Sequence, residues 1–181
     1  MERKVKVDEF DAELEARLAE AHERARTRGR NDVADYILLR AANDQLRAES
    51  VARLLEDFTA AAGEANREGA ALTLERTDSH RFQVGNSTMV GTRLVLRAGV
   101  RALTIEAGWP RTPRDGIVRG GGLAAARISH FGDRAAGDEL LLTHAAEGAA
   151  PRWLVLEETG ARVELLAERV RGHVARLLTA K

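Results

Sequence analysis

Arg93-Leu94-Val95-Leu96-Arg97-Ala98-Gly99-Val100-Arg101-Ala102-Leu103-Thr104-Ile105-Glu106-Ala107 is the stretch that decides the fold. Leu94 and Leu96 alternate with Arg93, Val95 and Arg97. Leu103, Ile105 and Ala107 alternate with Ala102, Thr104 and Glu106. Successive side chains of a strand point to opposite faces, so a period of two with one polar face describes half-buried strands. Ala98-Gly99 between the two runs predicts a tight antiparallel hairpin.

The same pattern extends outward in both directions. Upstream, Leu72 and Leu74 alternate with Thr73 and Glu75, and Phe82 and Val84 alternate with Arg81 and Gln83. Downstream, Leu140–Thr143 and Trp153–Leu156 read as two further strands. Asp78-Ser79, Gly85-Asn86, Gly132-Asp133 and Gly137-Asp138 supply turn chemistry between the runs. Residues 123–131 suit a strand or a helix, because three alanines stand beside Ile128. Glu158-Thr159-Gly160 turns the chain into a short strand or straight into a last helix.

Helical spacing takes over at both ends. After Asp8 as N-cap, Phe10, Leu14, Leu18 and Ala21 recur with a helical period, and Gly29 stops them. Asn31 caps a second segment with Val33, Ile37, Ala41, Ala48, Val51, Leu55, Phe58 and Ala62 on its apolar side. Unbroken to Ala62, it would be about 48 Å long, so Asn43-Asp44 is a candidate break and Gly63 a candidate end. The heptad register is too irregular for a coiled coil. From Glu164 to Leu178, Leu166, Val170, Val174 and Leu177 form one stripe, weakened by Gly172.

The expected fold class is therefore α+β. An N-terminal helical hairpin (1–62) precedes a mostly antiparallel sheet (69–160) of roughly six to eight strands. A C-terminal helix (162–181) packs on that sheet. The 181 residues are expected to form one domain.

Composition removes several classes of function. The chain has no cysteine, which excludes disulfides, thiol nucleophiles, cysteine zinc sites and iron–sulfur clusters. Lys plus Arg, 28, equals Asp plus Glu, 28, so net charge gives no attraction to nucleic acid or anionic membrane. Within that balance, residues 63–131 carry 10 arginines against 6 acids. Residues 1–62 carry 11 basic and 14 acidic side chains. The first nine residues turn acidic where a secretory signal would be apolar, and no apolar run reaches the roughly 20 residues of a membrane span. A cytoplasmic location without membrane association is the expectation.

The most unusual stretch is Gly108-Trp109-Pro110-Arg111-Thr112-Pro113-Arg114-Asp115-Gly116, followed by Ile117-Val118-Arg119. A proline-stiffened loop with three guanidinium groups suits a carboxylate or phosphate, and Trp109 offers a stacking face. The plain alternative is a connector with Trp109 in the core and solvated arginines. Gly120-Gly121-Gly122-Leu123-Ala124-Ala125 matches a dinucleotide fingerprint formally, but the antiparallel context argues for close packing instead. Gly85-Asn86-Ser87-Thr88 reads as a hairpin loop.

His22, His80, His130, His144 and His173 form no close metal-ligand pair, so neither metal nor cofactor is expected. His80 and His130 stand beside strands and are the histidines that could join a ligand site. Candidate ligand-binding residues are Trp109, Arg111, Arg114, Arg119, His80 and His130. No catalytic residue is assignable, and Ser79, Ser87 and Ser129 lie in no nucleophile elbow.

Three functions follow in order. The first is a soluble intracellular interaction or scaffold-type domain, homo-oligomeric through its N-terminal helices. The second is a protein or enzyme that binds a small anion near the Trp109–Arg119 loop. The third is a weak nucleic-acid binder using Arg93, Arg97 and Arg101, disfavoured by the scarcity of aromatic residues.

Overall fold

The computed structural model describes residues 16–144 and 149–179. Asp8, Phe10 and Leu14, read above as the start of the first helix, lie outside them. Helix α1 covers residues 16–27, and α2 is Asn31–Arg67. Gly29 between them adopts φ 68°, a conformation that favours glycine. The Arg30 N–H donates to the Ala25 carbonyl at 2.9 Å and the Gly29 N–H to Arg26 at 3.0 Å, which satisfies the last carbonyls of α1.

Helix α2 corrects two expectations. It is not broken at Asn43-Asp44, because Asp44 is drawn into helix-surface pairs with Arg47 (2.7 Å) and Arg40 (3.9 Å). It also runs past Gly63. The true stop is Gly69, at φ 101°, where the Ala70 N–H reaches back to the Ala65 carbonyl at 3.0 Å. Asn66 then clamps the departing chain: its side-chain amide donates to the Leu72 carbonyl and its carbonyl accepts from the Leu72 N–H.

The chain divides into two compact units, Met1–Ala48 and Glu49–Lys181, and α2 contributes to both. In the first, Ala25 and Ala34 are buried.

The second unit holds a seven-stranded antiparallel sheet whose spatial order equals its chain order. The strands are β1 Thr73–Val84, β2 Ser87–Ala98, β3 Arg101–Trp109, β4 Ala124–His130, β5 Asp133–Thr143, β6 Arg152–Leu156 and β7 Arg162–Glu164. Residues 124–130 are thus strand: β4 has an antiparallel neighbour on each side, an environment that overrides the helix preference of its alanines. The last helix, α3, is Ala167–Thr179, later than the Glu164 start expected from its stripe, because Arg162–Glu164 pairs with β6 first.

One face of the sheet carries the main core. Leu94, Leu96, Leu103, Ile105, Ile128 and Leu142 meet Val51, Leu54, Leu55 and Phe58 of α2 and Val170, Val174 and Leu177 of α3. Full burial of each large side chain contributes about 1.5–3 kcal/mol. A smaller cluster of Phe82, Met89 and Ala125 lies on the other face, with Val118 packed on it.

Gly91 of β2 and Gly108 of β3 are directly paired. A β-carbon on Gly91 would sit 2.0 Å from the Ala107 carbonyl oxygen, and one on Gly108 would sit 2.6 Å from that of Val90. Only glycine permits so close a backbone approach.

Candidate functional site

The Trp109–Arg119 loop is fastened to the sheet rather than arched over a pocket. Trp109 is buried in the main core, and the Arg111 guanidinium stacks 3.8 Å from its ring centroid. Asp115 accepts from the Thr112 N–H and hydroxyl at 2.9 Å each and from Arg81 at 2.8 Å. These hydrogen bonds hold its carboxyl below the usual range, that of the Thr112 hydroxyl foremost. Ser87 donates to the Ile117 carbonyl at 2.8 Å and accepts from its N–H. Arg114 and Arg119 are exposed, and the Arg119 guanidinium lies over Gly85.

Of the six candidate residues, Trp109 and Arg111 are brought together, with Arg114 and Arg119 on the same loop. His80 and His130 point to opposite faces of the sheet. His80 meets a partner that two hairpin registers bring within reach, and His130 meets one carried by α3.

On the face away from the helices, His80 Nε2 is 2.7 Å from Glu106 Oε1. His80 pairs with Gly91, whose missing side chain lets the imidazole reach across β2 to β3. The Arg127 guanidinium donates to the other oxygen of Glu106, through Nε at 3.1 Å and through Nη2. Burial alone would raise the Glu106 pKa, but the hydrogen bonds from Arg127 and His80 outweigh it and hold the carboxyl below its ordinary value. Arg93, Glu106, Arg127 and Glu139 are successive partners across β2, β3, β4 and β5. The result is a ladder of alternating charge, in which opposite signs on neighbouring strands stabilise the pairing.

On the helix face, Asp138 is gripped by Arg169 through two hydrogen bonds of 2.6 and 2.8 Å. Arg169 also reaches Glu157 at 2.8 Å. The bond to Asp138 is the main reason the guanidinium holds its proton more tightly than usual. His173 Nε2 lies 2.9 Å from Asp138, and His173 Nδ1 lies 3.0 Å from His130 Nε2. His173 is buried, and its ring is 6.3 Å from that of Phe58.

A third feature belongs to the first unit. Tyr36, Leu38 and Leu39 of α2 are 63%, 54% and 61% exposed. The helical reading above placed none of these three on the buried stripe. Helical angles explain it: Tyr36 and Leu38 stand about 100° to either side of the line through Val33, Ile37 and Ala41, and Leu39 faces away from it.

A groove of about 160 Å³ runs between the second half of α2 and α3, lined by Asp57, Glu64, Val170 and Arg171 among others. Burial raises the Asp57 pKa. Among the described residues no group of three His, Asp or Glu side chains is placed to hold a metal ion. No helix among them is long and apolar enough to cross a membrane. The chain matches no family model, no curated protein and no solved structure.

Two of these polar groups were readable in principle. The turn at residues 85–86 pairs His80 with Gly91, and the turn at 99–100 pairs Arg93 with Glu106. Together they put Glu106 diagonal to His80. Asp138 and His173 are far apart in sequence, and no local pattern joins them.

Proposed function

We propose that this protein is a scaffold-type interaction domain that self-associates through its N-terminal helices. The exposure of Tyr36, Leu38 and Leu39 carries this reading. Tyr36 and Leu39, one helical turn apart, form one strip, and covering it is worth up to about 1.5–3 kcal/mol per side chain. Among the described residues of Met1–Ala48, the buried apolar residues are Ala25 and Ala34, two of the smallest side chains. A second copy brings the same surface, and a two-fold interface pairs one patch with itself. Residues 31–48 carry three acids and two arginines, so two copies meet with little charge repulsion.

The mass of the full chain in solution tests this, measured by light scattering across a concentration series. The wild type is expected as a dimer or higher oligomer, and Tyr36→Glu with Leu39→Glu as a monomer of unchanged secondary structure. A monomeric wild type, or a double variant of unchanged mass, would refute it.

A further inference from the structure

We propose that the chain of side chains Asp138–His173–His130 is a pH-sensitive clasp, holding α3 against β4 and β5 at neutral pH and releasing it once both imidazoles are protonated. With both rings neutral, the ionised carboxylate orders the protons. Asp138, kept ionised by Arg169, accepts from His173 Nε2–H. The His173 Nδ1 lone pair is then left to accept from His130 Nε2–H at 3.0 Å. His130 is only partly buried, so its Nδ1 is the point from which the chain takes up a proton.

Two imidazoles joined by one N–H···N bond have room for one extra proton. With one, every hydrogen bond survives, because either ring can donate to the other. With two, both facing nitrogens carry hydrogen and the bond becomes a repulsion between stacked cations whose centroids are 5.3 Å apart. The clasp joins elements distant in sequence: His130 ends β4, Asp138 is in β5 and His173 is in α3.

The charged surroundings come from every element packed there. Asp133 of β5 pairs with Arg176 of α3 at 2.8 Å. Arg169 joins Asp138 to Glu157, which follows β6. Arg101 of β3 donates to the Leu178 carbonyl at the end of α3. Helix α2 presents the uncharged Phe58 ring. Burial, then repulsion from the neighbouring His173 once it carries the first proton and from Arg176, push His130 below the ordinary histidine value of 6.5.

The unfolded chain therefore binds the second proton, the one that breaks the His130–His173 bond, more readily than the folded one. Stability is complete above pH 6.5 and falls as pH drops below it, until the folded His130 itself titrates. For Asp138, burial alone would raise the pKa, but the hydrogen bonds from Arg169 and His173 dominate and hold it below 3.8. Its contribution is lost only in stronger acid, so the window of release lies between these two ordinary values.

Amide hydrogen exchange of the full chain from about pH 7.5 to about pH 5, corrected for the intrinsic rate, tests the clasp. Protection of residues 167–179 should fall several-fold below pH 6.5, while β2 and β3 keep theirs. His130→Gln keeps a donor for His173 Nδ1 but cannot titrate, so it should abolish the step. Constant protection of α3 in the wild type, or the same step in His130→Gln, would overturn the proposal. Should that variant not fold, ring-nitrogen NMR of the wild type decides. The α3 amides should shift together with His130, and a His130 titration that leaves α3 unmoved would also overturn it.

Discussion

The two halves of α2 belong to one continuous helix, yet they live in different surroundings. From residue 49 on, Val51, Leu54, Leu55, Phe58, Ala61 and Ala62 are all buried. Before it, Tyr36, Leu38 and Leu39 are more than half exposed and Ala34 alone on the helix is buried. Helix propensity is similar in both halves, so the backbone hydrogen bonds do not distinguish them. The neighbour does: the second half lies on a sheet, whereas the first shows a surface that apolar side chains leave incomplete. Helices draw most of their stability from packing of one face, and here that packing is unevenly shared.

The same substitution placed in each half should break the comparison open. Phe58→Asp puts a charge with no partner at a fully buried position and should cost about 4 kcal/mol or more, or prevent folding. Leu39→Asp, more than half exposed in a single copy, should cost less than about 0.5 kcal/mol at protein concentrations below self-association. Urea unfolding followed by circular dichroism measures both. Equal losses would mean that the two halves are not different environments.

A small effect is expected too at the loop that the sequence made most conspicuous. Arg111→Ala with Arg114→Ala removes the guanidinium stacked on Trp109 and an exposed one beside it on the loop. Thermal melts should register about 1 kcal/mol or less. A large drop would show that the loop, like the second half of α2, is part of the fold's support.

The fold was legible because sheet and helix patterns are local. Alternation along Arg93–Ala107, turn residues between runs and a stripe from Val170 to Leu177 each depend on residues close in sequence. Helix ends were less so. Asn43-Asp44 and Gly63 are ordinary stop signals, but a paired Asp44 and the packing of Ala61 and Ala62 carry α2 past both. The polar clusters were the least legible. His80 was singled out as a histidine beside a strand, but Glu106 became its partner through two hairpin registers and a glycine that clears the path. His130 was singled out likewise, while His173 was named among the histidines but given no part in a ligand site. It is buried because α3 turns that side toward β4 and β5. Pairing across tertiary structure leaves no periodic trace in the chain.

Cross-linking between copies tests the account's central claim most directly. The chain has no cysteine, so a single introduced thiol is unique. Tyr36→Cys places it on the exposed first half of α2, and Val100→Cys places it on a hairpin tip of the sheet, 89% exposed. Under mild oxidation, Tyr36→Cys should form a covalent dimer rapidly and Val100→Cys should remain monomeric. Slow, equal cross-linking of both would mean random encounter and would contradict self-association through the N-terminal helices.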